Sequence, residues 1–227
     1  MKGYKYRSNY KRDIKLLARS RIFTPPLFKL NDPFEGIINP KIFEDYEFIK
    51  SHLSPSEYEY KINLQKKFLI QIKYTGIYSL SNTWKNEVLW VHYSESHKGF
   101  CVEFELNDFI IENLKTIIFP KIIDINYSNV PPIYSLSNSI DNELEYLIKL
   151  IGTKSKPWKY EKEIRVIFKE NGEQQININS IKSIIFGLHA SEEDIKYTID
   201  SMPKNIKYYK TEIKENSYEL IKRKMKI

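Results

Sequence analysis

The chain has 227 residues, of which 41% are hydrophobic and 14% aromatic. A chain of this size buries roughly 70–75% of its unfolded surface, so it needs no covalent staple. Cys101 is the single cysteine, which excludes an intrachain disulfide and fits a reducing, cytoplasmic setting. Residues 1–20 are too basic and polar for a signal peptide, and no window approaches a membrane-spanning apolar run, so neither secretion nor membrane insertion is expected. The net charge of +7 comes mainly from lysine, alongside abundant Asn, Ile and Tyr, as an AT-rich genome would impose. It is spread out, with modest concentrations at the two ends, and so is not by itself a nucleic-acid footprint.

In chain order, Gly3–Arg7 reads as a short strand and Lys11–Arg19 as a helix, with Ile14, Leu17 and Ala18 at helical spacing. The proline-punctuated IFTPPLFKLNDPFEG reads as an extended loop without a regular element. Residues 43–73 are predicted mostly helical, with Ser54-Pro55 as a start signal. Tyr74–Ser81 reads as a strand, and Trp84–Tyr93 is ambiguous, with Leu89 and Tyr93 spaced as on a helix. Phe100–Glu105 alternates, with Phe100, Val102 and Phe104 on one face. Lys121–Tyr127 is a further strand. Asp141–Ile151 is an amphipathic helix capped by Ser139 or Asp141, and Lys154–Lys159 is a loop. Short strands are predicted at Gln174–Ile178 and Ser183–Phe186. A helix from Ser191 to about Ser201 follows, with Glu193 and Asp194 in its first turn. Ile206–Lys210 and Tyr218–Lys222 close the chain as strands. Strands outnumber helices and show no βαβ rhythm. The expectation is a single α+β domain over residues 1–227, with a helical insertion at about 43–73. Its sheet is mixed, mostly antiparallel, split and flanked by helices.

Four polar stretches stand apart from this apolar pattern. In Tyr4-Lys5-Tyr6-Arg7, the tyrosines share one strand face and the cations the other. In Asn31-Asp32-Pro33-Phe34-Glu35-Gly36, a rigid turn presents Asp32 or Glu35. Trp90-x-His92-Tyr93 precedes His97, but two histidines five residues apart do not make a zinc spacing on a helix, and no metal is expected. WKYEKEIRVIF places Glu161, Glu163 and Arg165 opposite Ile164, Val166 and Phe168. On one strand the two carboxylates would sit about 6.6 Å apart, close enough to raise one pKa unless Arg165 intervenes. That face is either a solvated ladder or a cleft floor. Cys101, mid-strand, reads as a small core residue. With only seven glycines and no Gly-rich phosphate loop, a Rossmann or P-loop site is not expected.

Taken in order, YKYR, LNDPFEG, LWVHYSESHKGFCVEFE and WKYEKEIRVIF resemble a bacterial family known as domain of unknown function 2971, over roughly residues 4–187. The chain also resembles ADP-ribosyltransferases, split-sheet α+β enzymes that take NAD as substrate without a Rossmann fold. Glu161-Lys162-Glu163 is similar to their E-x-E pair, Tyr4-Lys5-Tyr6-Arg7 to their first-strand motif and His92-Tyr93 to their middle motif. Ser79-Leu80-Ser81 stands near their Ser-Thr-Ser, and Tyr6 or Arg7 replaces their usual histidine. This resemblance implies Glu163 as the catalytic carboxylate and Glu161 as the group that orients or deprotonates the acceptor, with His92 beside them. It implies Arg7 on an NAD phosphate and Tyr93 on nicotinamide, with Tyr4, Tyr6, Asp32, Glu35, Trp90 and Arg165 completing the binding site. It further implies a toxin or antiviral effector whose acceptor is protein or nucleic acid, with a partner protein encoded nearby. Two other classes remain open. In a metal-dependent nuclease, Asp32, Glu35, Glu161 and Glu163 would gather around Mg²⁺ near Lys98. A non-catalytic sensor would use the same cleft to bind a nucleotide or peptide.

Overall fold

The computed structural model describes residues 1–37, 50–111, 119–132 and 143–226. The chain runs β1 (Lys2–Arg7), α1 (Tyr10–Ala18), β2 (Arg21–Thr24), α2 (Pro55–Tyr74), β3 (Gly76–Ser81), α3 (Glu87–Tyr93) and β4 (Phe100–Glu105). It continues through β5 (Lys121–Asp124), β6 (Asn126–Ser128), α4 (Glu143–Ile151), β7 (Thr153–Ser155), β8 (Glu163–Phe168) and β9 (Gly172–Gln175). It closes with β10 (Ile181–Phe186), α5 (Glu192–Ser201), β11 (Lys207–Ile213) and β12 (Leu220–Lys224). Eight strands form one sheet in the order β12-β11-β10-β4-β1-β3-β8-β5. Neighbours are antiparallel except β10 and β11, which are parallel and joined through α5. The fold is α+β with a mixed, mostly antiparallel sheet, as the sequence predicts. β10–α5–β11 and the small parallel pair β6 and β7, with α4 between them in sequence, are both strand–helix–strand units, and the sequence reading had no place for either.

The helix starts follow from their caps. The Asn9 side chain accepts from the Arg12 amide, and the Ser191 side chain from the Asp194 amide. Ser54 and Glu57 form a reciprocal capping box with Pro55 in the first turn of α2. Gly99 is required by space, because a Cβ there would lie 2.0 Å from the Arg7 carbonyl oxygen. Three expectations need correction. The proline-punctuated stretch does hold a strand, since β2 pairs with β9 from Arg21↔Gln175 to Thr24↔Gly172, and Leu27–Lys29 forms a 3-10 turn. β9 accordingly starts at Gly172, earlier than predicted, and Ile178–Ser180 is a 3-10 turn. Residues 154–159 are not a loop: β7 pairs in parallel with β6, and Lys156–Glu161 is a 3-10 turn. The predicted helix over 43–49 and the caps Ser139 and Asp141 lie outside the described residues.

The sheet is covered on both faces. Ile164, Val166 and Phe168 pack with Phe100, Val102 and Phe104 in one core, against Ile14 and Leu17 of α1 and Ile195 of α5. On the opposite face, Ile77 and Ile167 pack under Phe68 of α2 and Leu147, Leu150 and Ile151 of α4. A third cluster joins Tyr4, Tyr6, Leu89, Trp90 and Cys101. Cys101 is fully buried and burial pushes its thiol pKa well up, so it is a core residue.

The sheet parts at its middle. β1 pairs with β4 at six positions and β3 with β8 at six, but β1 and β3 share only Tyr4↔Ser81. Beyond that pair the two strands splay, and their facing backbone edges are left without a ladder. The splay opens the cleft described below.

Phe104 is fully buried at the centre of the main core, edge-on to Tyr78 and Phe109. Phe104→Ala should destabilise the fold by about 3–5 kcal/mol. Urea unfolding measures this, and a change within about 0.5 kcal/mol would show that the core is assigned to the wrong face.

Candidate functional site: a buried charge network at the mouth of the sheet split

The cleft has a volume of about 1070 Å³ and is lined from both sides of the split, by Lys5–Ser8 of β1 and its continuation and by residues 77–81 of β3. Tyr4 and Tyr6 share a sheet face with Ser81 and Glu163, because Tyr4 pairs with Ser81 and Ser81 with Glu163. Lys5 and Arg7 point to the opposite face, paired with Val102 and Phe100. The Lys5 ammonium spans the gap and donates to the Ser79 carbonyl. Burial and the neighbouring Arg7 push its pKa down to about 7, against the opposing pull of Glu163, Asp13 and Glu161.

At one end of the cleft lie the two carboxylates of the E-x-E pair. Their placement corrects the sequence reading, which put both on one strand. Glu161 instead ends the 3-10 turn that begins after Ser155, with Pro157 in its first turn, and Lys162 follows in left-handed conformation at φ 47°. That residue re-aims the chain into β8. The turn is fixed from outside: the Ser81 hydroxyl donates to the Glu161 carbonyl at 2.7 Å, and the Asn86 amide donates to the Tyr160 carbonyl.

Beneath the carboxylates lies Arg165, which is fully buried. Its Nε and Nη2 donate to Glu163 at 2.7 and 3.2 Å, Nη1 donates to the Ile151 carbonyl at the end of α4, and Nη2 ion-pairs with Glu35 at 2.5 Å. Lys154 of β7 supplies the second cation. Its Nζ lies 2.5 Å from Glu161, 2.9 Å from Glu163 and 3.5 Å from Glu35, with the Trp158 ring 4.8 Å away. Burial alone would raise the Glu163 pKa, but Arg165 and Lys154 outweigh it and hold the carboxyl down at about 2. For Glu35 burial wins, and its pKa is raised despite Arg165. Burial would lower the pKa of Lys154 and of Arg165, yet their carboxylate partners lift both above the ordinary range. From α3, Tyr93 donates to Glu161 at 2.6 Å and accepts from Asn31 at 2.7 Å. Burial and this hydrogen bond to Glu161 raise its phenol pKa.

The structure brings Tyr4, Tyr6, Arg7, His92, Tyr93, Glu161 and Glu163 into the lining of one cleft. It separates the remaining candidates from that lining. Trp90 is fully buried, donates to the Trp84 carbonyl and packs edge-on to Tyr6. Asp32 is buried and caps its own turn by accepting from the Phe34 amide at 2.9 Å. Arg165 sits behind the carboxylates as the counter-charge of Glu163, and Glu35 pairs with Arg165 from the other side. Arg7 is held beside Asp13 at 3.9 Å and over the Tyr78 ring. His92 is solvent-exposed, edge-on to Tyr93. Sequence reasoning missed Lys154 and Ser79. Lys154 lay in a presumed loop where one lysine among many carries no signal. The Ser79 side chain helps hold the Glu163 charge, and Ser79-Leu80-Ser81 was the only sequence hint of it. Among the described residues, no group of three or more His, Cys, Asp or Glu is arranged to hold a metal ion, and no helix is long and apolar enough to cross a membrane.

Residues 89–166 match the family described as protein of unknown function (DUF2971), so the resemblance to that family holds over this stretch. It contains His92, Tyr93, Lys154, Glu161, Glu163 and Arg165. No curated protein and no solved structure matches the chain.

Arg165→Met should cost about 3–5 kcal/mol at neutral pH, because it leaves Glu163 and Glu35 buried beside a single lysine. In the wild type, Glu163 contributes stability that is present above the ordinary glutamate value of 4.5 and lost as pH falls towards about 2. Glu35, with its raised pKa, acts in the opposite sense. Without the guanidinium both carboxyls titrate higher, so the penalty of the variant should shrink as the pH is lowered from neutral to about 4. Urea midpoints of both proteins at the two pH values test this. An equal loss at both would show that the network is not electrostatic in origin.

Proposed function

We propose that this protein uses NAD as an ADP-ribosyl donor, with the split in the sheet as the donor site and Glu163 as the charge-stabilising carboxylate. The observation that carries the reading is the arrangement of three motifs on three adjacent strands. Tyr4 and Tyr6 on β1, Ser79 and Ser81 on β3, and Glu163 at the start of β8 all line one cleft beside the single β1–β3 pairing. That supports the resemblance to ADP-ribosyltransferases independently of the E-x-E spacing.

The chemistry fits the titration state. The bond between ribose C1′ and the nicotinamide nitrogen breaks, and its electron pair leaves with neutral nicotinamide. C1′ passes through an oxocarbenium-like state, and a lone pair of the acceptor forms the new bond to C1′. A carboxylate facing that carbon must be ionised, and Glu163, held at about 2, carries its charge throughout the physiological range. It is unsuited to give up a proton, so a general-acid role is excluded for it. The proton of the acceptor goes to Glu161, which Tyr93 and Lys154 orient. Arg7, on the opposite wall, suits a phosphate of the donor. Loss of NAD or modification of a macromolecule would arrest growth, the role of a toxin or antiviral effector.

A second reading is favoured by one observation. Lys154 and Arg165 already satisfy the carboxylates, which suits a sensor that binds a nucleotide without turning it over. The nuclease reading is less well supported, because Mg²⁺ would have to displace both cations from Glu35, Glu161 and Glu163, and Asp32 is turned into its own loop.

Nicotinamide release from NAD by the purified protein tests the proposal, with calorimetric NAD binding measured in parallel. Glu163→Gln should lower release by at least about a hundredfold. Because it also strips a counter-charge from two buried cations, it should lower the melting temperature. Tyr93→Phe, which removes the hydroxyl's bonds to Glu161 and Asn31 but no charge, is the gentler companion and should lower release about tenfold or more. A folded Glu163→Gln protein that releases nicotinamide at the wild-type rate ends the catalytic assignment. Binding without release establishes the sensor instead.

A further inference from the structure

The cleft lining also carries cations that the fold itself does not use. Lys11 and Lys15 of α1 and its C-cap Arg19 belong to it, at helical spacing i, i+4, i+8, and so does Lys29. All four are exposed. The acids nearby are already engaged: Asp13 with Arg12 and Arg7, and Glu173 with Arg21. None of the four cations is ion-paired among the described residues. From Lys11 to Arg19 the row spans about 12 Å along the helix, roughly two phosphate intervals of an extended strand. Phe23, half-exposed at 50%, belongs to the same lining. So do Lys5 and Arg7, which both lie over the Tyr78 ring, at 5.0 and 5.9 Å. Two cations brought together in a concave site repel each other, and an anion relieves that repulsion. A positive groove with an exposed aromatic ring is the arrangement that holds single-stranded nucleic acid, phosphates along the cations and a base on the ring. An acidic polypeptide would use the cations but leave the ring without a stacking partner.

We infer that the α1 side of the cleft binds a single-stranded nucleic acid, with its phosphates along Lys11, Lys15, Arg19 and Lys29 and a base against Phe23. As the identity of the acceptor, this inference rests on the transferase reading. As a binding site it does not, since a strand docks there whether or not NAD is consumed. The dispersed overall charge is no objection, because what matters is a row of unpaired cations in a concave surface.

Binding of a short fluorescent oligodeoxythymidine is measured by anisotropy across a salt series, without NAD. The wild type should bind it. The charge-reversed variant K11E/K15E/R19E should lose at least about tenfold in affinity, and its log–log salt dependence should fall by roughly two, since each phosphate contact on a single strand contributes about 0.7 to the slope. Phe23→Ala should weaken binding without changing the slope. K196E/K204E/K207E, which reverses three exposed cations on and after α5, should bind as the wild type does. The proposal is overturned by no binding, by an equal loss in the two triple variants, or by polyglutamate displacing the oligonucleotide as well as unlabelled oligonucleotide does at equal charge. Nicotinamide release by the wild type without oligonucleotide tests the donor reading separately, so either result stands without the other.

Discussion

Arg165 is the group on which the rest of the site depends. Taking a guanidinium fully out of water is costly, and only well-placed partners offset it. Those partners come from distant stretches of chain: Glu35 from the loop after β2, Glu163 from its own strand and the Ile151 carbonyl from the end of α4. Lys154 extends the same network from β7 to the 3-10 turn that bears Glu161. Three carboxylates, Glu35, Glu161 and Glu163, thus share two cations, Lys154 and Arg165. Well-packed apolar residues often hold segments together at least as well as a buried ion network, so stability alone does not account for it.

The split in the sheet is the second constraint. A continuous ladder between β1 and β3 would satisfy the backbone but leave no room between Lys5 and Ser79. With a single pairing at Tyr4↔Ser81, the sheet keeps its continuity at one end and opens at the other. Lys5 donates across the gap to the Ser79 carbonyl, replacing one missing ladder bond with a side chain. Its depressed pKa is the consequence of that position: the ammonium is buried beside another cation. A bound anion would favour its charged form, so occupancy of the cleft and the charge of Lys5 are linked.

Much of this was legible in the sequence, and the limits have physical reasons. The alternation in Phe100–Glu105 and Ile164–Phe168 placed the shared core correctly, because burial on a strand leaves a period of two. Ser54 with Pro55, and Ser191 with Glu193 and Asp194, marked helix starts because capping is local. β2 was hidden because its pairing partner β9 lies far along the chain, and tertiary hydrogen bonds rescued a stretch whose prolines argue against regular structure. The E-x-E pair was found, but its geometry was not, since a left-handed Lys162 leaves no pattern in composition. Lys154 was invisible for a different reason. In a lysine-rich chain, a lysine that folding buries differs from the rest only by its neighbours in space.

The two carboxylates of the pair are therefore not equivalent, although the sequence presents them as a repeat. Glu163 is gripped by a guanidinium and an ammonium and begins β8, a strand paired on both sides, by β3 and β5. Its charge and position are both fixed. Glu161 ends a turn, and its partners are an ammonium and a phenol that reaches it from α3. A hydroxyl can rotate and re-bond where a buried guanidinium cannot, so Glu161 is the member of the pair able to exchange partners with an incoming ligand. Lys154 is bound to both members of the pair, between Glu161 and Glu163 and over the Trp158 ring. The network is thus the scaffold that fixes Glu163 while leaving Glu161 tied to the chain by an ammonium and a rotatable hydroxyl.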